Sequence, residues 1–239
     1  MPLLSRPLSA VWITLLISLS IFILWCLMPS RPLIDLVGEG NIVETLTLYL
    51  YGITILCFCI LPVPGLKKSI RFAVAVILLY MMAREADLHK SIAQMSMLKL
   101  RFWSGSLPWE AKVSALLILL PITAACLYLI VTCWRSLRDA IRGRRNYAIS
   151  AGMFILLIII TNIIDRSVSV IKKWTGFIPP DWVVALQTSQ EEFLELWLPA
   201  LALLALLQFQ HRNAVQETKR VRTIEKRRSE MAEVSSHRK

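Results

Sequence analysis

Glu85 and His89 stand four residues apart, so a helix would carry this carboxylate and imidazole on one face. The surrounding run 84-READLHK-90 adds Arg84, Asp87 and Lys90. Glu44, Asn162, Asp165, Arg166, Glu192 and Glu195 lie inside or at the edge of other apolar stretches. Glu85, His89, Asp165 and Glu195, with Glu44 nearby, make an oxygen-rich ligand set with one imidazole. Such a set suits Mn, Fe or Mg better than a thiolate zinc site. A divalent metal held there would activate water against an ester or phosphoester. Without a metal, a carboxylate would serve as general base with His89 as its partner, while Arg84 and Arg166 held a phosphate. The sequence has no G-x-S-x-G, P-loop or dinucleotide signature. Of its three histidines, His211 and His237 fall in the basic tail, which argues against a three-histidine zinc site.

The elements that must position these groups are membrane helices. Hydrophobic residues are 56% of the 239 and charged residues 18%, against roughly 45–50% and 25% in soluble domains. The excess falls in blocks at about 8–29, 42–62, 70–89, 113–134, 147–170 and 190–209. Each approaches the roughly 20 residues needed to cross ~30 Å of hydrocarbon. The first block is too long for a signal-peptide core and no A-x-A-like site follows it. The expected fold is therefore an all-α polytopic bundle of six spans over residues 1–210, followed by a basic tail at 211–239.

Orientation follows from charge. The two termini and the even-numbered connections hold 18 of the 27 Lys and Arg but only five of the 16 carboxylates. That bias predicts both termini in the cytoplasm. It also accounts for the net charge of +11, so nucleic acid is not implied as a partner. Seven tryptophans (12, 25, 103, 109, 134, 174 and 182) fall near span ends, as an aromatic belt would. The five cysteines lie within spans without metal-ligand spacing, so they read as small packing residues.

Helix ends decide which polar groups need explaining. In 41-NIVE-44 and 189-SQEE-192 the spacing resembles a capping box, and carboxylates suit a helix N-terminus. Glu44, Glu191 and Glu192 therefore have a structural explanation. Glu85, Asp87 and Asp165 are expected at helix C-termini, where the dipole opposes them, and Glu195 lies beyond its cap. The stripe Glu44, Thr47, Tyr51, Thr54 follows helical spacing and should face the bundle interior; Pro199 should kink span six beside it. If spans two, three, five and six pack together, these groups enclose a polar pocket just below the far surface. The connection 90–109 mixes apolar and basic residues, as an interfacial helix or a lid would. The tail, with nine basic and four acidic residues, reads as a solvated extension of the last helix that can meet anionic lipid.

The run 84-READLHK-90, with 191-EEFLEL-196, resembles a pattern in uncharacterised small bacterial multi-pass inner-membrane proteins. In these, R-E-x-D-[FL]-H-K closes one helix and E-E-x-x-E-L opens the last. The resemblance implies a bacterial inner membrane and a shared polar cluster, with no activity attached. The leading functional reading is a non-catalytic envelope role, the cluster binding a lipid or polyprenyl head group or a partner subunit. The alternative is a metal-assisted hydrolase or transferase on a lipid-linked substrate. Transport ranks third, because discontinuous helices and an evident inverted repeat are lacking.

Overall fold

The computed structural model describes residues 2–38, 40–86, 88, 100–105 and 108–236. Among them every regular element is helical: α1 (Pro2–Ser5), α2 (Ser9–Leu27), α3 (Ser30–Val37), α4 (Ile42–Ile60), α5 (Lys68–Glu85), α6 (Leu100–Ser104), α7 (Trp109–Arg142), α8 (Asn146–Thr175) and α9 (Asp181–Ser236). Five stretches are long and apolar enough to cross a membrane: Ser9–Leu27, Ser30–Ile60, Trp109–Arg142, Asn146–Thr175 and Asp181–Glu225. Helix α5 differs. Only twelve uncharged residues separate Arg71 from Arg84, about 18 Å of helix at ~1.5 Å per residue.

Several helices outrun their apolar blocks. Helix α7 continues through Arg135–Arg142 to Gly143, and α8 runs to Thr175, ending at Gly176 with φ +68. Helix α9 starts at Asp181, directly after Pro179 and Pro180, not near residue 190. Hydrophobicity marks what lipid tolerates, whereas a helix ends where glycine or proline stops it. Helix α3 lies between the first two apolar blocks; it follows Pro29 and turns Leu33 and Val37 fully inward.

Helix α9 is the spine, touched by α1, α2, α3, α4 and α8, while α5 packs on α4 and α7. Its buried face is Leu194, Leu198, Leu201, Ala202 and Leu206, which meet Tyr51, Phe58, Leu78 and Leu157. Helix α7 is peripheral, burying only Ala115, Ala125 and Ala140 and leaving Leu117 and Val131 facing outward. Small residues permit close backbone approach where lipid provides no hydrophobic drive between helices.

Polar bonds fix the register of α2 on α9. Trp25 Nε1 donates to the Trp182 carbonyl at 2.9 Å, Ser18 Oγ donates to Gln190 Oε1 at 3.0 Å, and Gln190 Nε2 donates to the Ser18 backbone carbonyl at 3.0 Å. Farther along, Trp197 Nε1 donates to Thr14 Oγ1 at 2.9 Å and Gln208 Nε2 to Ser9 Oγ at 3.2 Å. Ser150 of α8 joins through a 2.7 Å bond to Gln208 Oε1. The descending order on α2 against the ascending order on α9 makes the pair antiparallel. At the tail end, Arg71 donates to the Phe58 and Cys59 carbonyls that close α4. Gln210 and Asn213 of α9 donate to the Pro62 and Pro64 carbonyls of the α4–α5 loop. Gly65 in that loop has φ +80, a conformation in which a Cβ is strained, and Asn213 Nδ2 lies 3.1 Å from where one would sit.

Candidate functional site

The last turn of α5 delivers Arg84 to the middle of α9. Its Nη2 donates to Glu195 Oε1 at 2.5 Å, and the Glu195 side chain is 9% exposed against 32% for Arg84. Glu85, the last residue of α5, neighbours Glu195 electrostatically. Two carboxyl groups and one guanidinium therefore meet at one point between α5 and α9. Tyr51 of α4 completes the group. It is 1% exposed, and the charges closest to its phenol are Glu85, Glu195 and Arg84. Among the described residues its hydroxyl has no hydrogen-bond partner.

This group lies deeper than the sequence placement. Tyr51 is the midpoint of α4, and Thr54 one turn on donates to the Pro199 carbonyl at 3.2 Å. Glu195 stands 14 residues after Asp181, about 21 Å along the axis at ~1.5 Å per residue. A polar stripe on α9 leads to it through Gln187 and Glu191. Gln187 Nε2 donates to Glu191 Oε2 at 3.1 Å and to the Asp165 carbonyl at 3.2 Å. Asp165, Glu192 and Glu195 act electrostatically on Glu191, and Glu192 on Glu85. Past Glu195 the same face turns apolar at Leu198, Leu201, Ala202 and Leu206.

The expected stripe on α4 is borne out for Thr47, Tyr51 and Thr54, all buried to within 1%. Glu44 is engaged locally, two turns from Tyr51. It accepts the Gly40 amide at 2.6 Å, one residue before the cap, while the Asn41 side chain donates to the Asp35 carbonyl at 2.5 Å. The second capping box does not form. Ser189 is buried within α9 and donates to the Leu186 carbonyl at 3.2 Å, so Glu191 and Glu192 lie well inside the helix. Dipole compensation therefore does not explain them. Asp165 and Arg166 are also not at a helix end; ten residues of α8 follow Asp165, and both side chains are exposed. Asn162 bonds back to the Ile158 carbonyl at 2.8 Å. Asp87 and His89 lie outside the described residues. Among those described, no three His, Cys, Asp or Glu side chains are grouped as metal ligands. The five cysteines are free thiols. Of the 90–109 connection, α6 is described, with Phe102 buried and Trp103 exposed.

The interhelical bonds of Ser9, Ser18, Ser150, Gln190 and Gln208 escaped the sequence reading. A glutamine inside an apolar span is itself a signal, because an unmet amide is costly in hydrocarbon.

No protein-family model, curated protein or solved structure matches the chain. The class is set by the helices themselves: an all-helical, multi-pass membrane protein with outward apolar faces and a charged group at mid-bundle.

Proposed function

We propose a non-catalytic bacterial inner-membrane protein of six spans, with α5 as the third and both termini cytoplasmic, that binds a polar head group at the Arg84–Glu85–Glu195–Tyr51 cluster. The orientation is supported by the 18 of 27 basic residues on the side holding the termini. The inner-membrane location rests on the resemblance carried by 84-READLHK-90 and 191-EEFLEL-196. The observation that carries the binding role is the polar stripe. Charges at this depth cost several kcal/mol and by default mark function. A continuous polar route would suit passage across the bilayer; a route that stops at Leu198 suits occupancy.

The test is co-purification in native lipid. Protein extracted into polymer-bounded nanodiscs is compared with Arg84→Gln and Glu195→Gln for the lipid classes retained after delipidation. A class enriched over bulk membrane in the parent and lost in both variants is the expected result. Identical profiles in all three would remove the head-group role.

A further inference from the structure

We infer that the outward face of α7 holds an anionic phospholipid, its phosphate on Arg135, Arg138 and Arg142 and a chain along Leu127, Val131 and Trp134. The site is separate from the Arg84 cluster and does not rest on it. Ser69, near the start of α5, shares a 2.6 Å hydrogen bond with Tyr128 Oη, and Asn146, just past the arginines, donates to the Leu4 carbonyl. The arginines therefore lie at the end of the bundle that carries the N-terminus, away from Arg84 at the other end of α5. Leu127, Val131, Trp134, Arg138 and Arg142 follow i, i+4, i+7, i+11 and i+15, one line along a helix, with Arg135 beside it. All six are exposed, Val131 to 82%, while the buried Ala140 marks the face turned to the bundle. The line changes from apolar to cationic at Trp134 without turning back into the protein. Leu127 to Trp134 covers about 10 Å of helix at ~1.5 Å per residue, within one leaflet of the ~30 Å hydrocarbon. Whatever covers this line is apolar over one half and anionic over the other. A soluble phosphate or an acidic peptide meets only the cationic half; a phospholipid meets both. From Leu129 to Arg145 the charge is five arginines, no lysine and one carboxylate, Asp139, which lies 3.5 Å from Arg138. The planar guanidinium takes phosphate oxygens two at a time.

The turn after α7 supplies a second, independent ground. The Arg145 amide donates to the Ala140 carbonyl and the Arg144 amide to the Ile141 carbonyl, both at 2.9 Å. This is a Schellman closure, whose left-handed position ordinarily takes glycine. Here that position is Arg144, at φ +49, while Gly143 sits one place earlier at φ −75. Among the described residues no other non-glycine has a positive φ. The closure uses only the backbone of Arg144, and a Cβ there is a cost. The Arg144 side chain is exposed and, like those of Arg135, Arg142 and Arg145, has no carboxylate partner among the described residues. A side chain kept at a backbone cost, with no bond inside the protein, serves a contact outside it. Arg144 extends the arginine line around the turn, where it meets the same layer of phosphates.

The experiment uses full-length protein in detergent, offered equal amounts of phosphatidylglycerol, phosphatidylethanolamine and phosphatidylcholine, with adducts read by native mass spectrometry. Phosphatidylglycerol adducts should be favoured about tenfold or more over the other two, equivalent to ~1.4 kcal/mol. The double variant Arg138→Gln/Arg142→Gln should reduce that preference severalfold. Arg144→Gly gives the sharper contrast. It relieves the left-handed residue, so it should raise the unfolding midpoint while lowering the phosphatidylglycerol preference, a pair of changes that a purely structural arginine would not produce. An equimolar excess-free competition with glycerol 3-phosphate, the head group without its chains, should leave the adducts in place; displacement would overturn the lipid in favour of a soluble phosphate. No preference among the three lipids, or a preference that survives both arginine variants, would also overturn the site. Arg84→Gln should leave the preference unchanged. If it alone abolished the preference, the anionic lipid would belong to the mid-bundle cluster, which would overturn the α7 site and leave the head-group reading standing.

Discussion

Glu195 is buried against a single guanidinium, so removing Arg84 strands it, and removing Glu195 takes from Arg84 its hydrogen-bonded partner. Glu195→Leu is expected to destabilise the bundle by about 2–3 kcal/mol. The figure sits below the ~3–5 kcal/mol of a fully sealed pair because a third of the Arg84 side chain remains exposed. The double variant Arg84→Met/Glu195→Leu should recover part of the loss, since the ion pair is removed whole and Glu85 alone stays at this point without its cation. Unfolding midpoints in detergent for the two singles and the double decide this; a double as unstable as the sum of the singles would rule it out. Tyr51→Phe belongs beside these. It removes an oxygen without a described partner, so it should leave the ligand-free protein as stable as the parent or slightly more so. A marked loss of thermal stability would show that the hydroxyl is already bonded.

Helix α2 is held to α9 by interhelical hydrogen bonds. The Ser18 Oγ–Gln190 Oε1 bond lends itself to a double-mutant cycle, Ser18→Ala with Gln190→Leu, in which the bond from Gln190 to the Ser18 backbone carbonyl is lost only with Gln190. Couplings of this kind inside membranes average about 0.6 kcal/mol and reach ~1.7 kcal/mol; a coupling near 0.6–1 kcal/mol is expected here. A value indistinguishable from zero would mean that apolar packing alone sets the register. The α4–α5 loop makes a sharper case. Gly65→Ala meets both a left-handed φ and the Asn213 amide, so it should cost about 1–2 kcal/mol for the conformation alone. Asn213→Ala in that background should relieve only the steric part. If it restored stability completely, the φ at position 65 would not be a constraint.

At the scale of the whole chain, the open number is whether α5 crosses. Six spans put both termini on one side, whereas five put them on opposite sides. Cytoplasm-dependent reporters fused separately at the N-terminus and after Lys239 should both be active, and a reporter inserted between α6 and α7 inactive. One active terminus alone would mean that α5 stops within the bilayer. Twelve uncharged residues cannot cover the hydrocarbon thickness by themselves. Arg71, folded back on the α4 carbonyls, and Arg84, turned inward to Glu195, remove both flanking charges from lipid and so let a short helix serve.

The class of protein, the interior face of α4 and the arrival of Arg84 and Glu85 at a helix end were all legible in the residues. Each depends on local periodicity or on the length of an apolar run, which a chain carries regardless of its partners. The ends of α8 and α9 were not, because lipid-compatible composition stops well before helical geometry does; hence Asp165 and Glu192 read as terminal in the sequence but lie inside their helices. Depth was equally hidden. Which turn of α9 meets the last turn of α5 is set by packing of Leu78, Leu157 and Leu198 and by the Thr54–Pro199 bond, contacts between segments far apart in sequence. The same cause placed Tyr51 beside Glu195. A stripe read along one helix tells which way its residues face, but only the assembled bundle determines what they face.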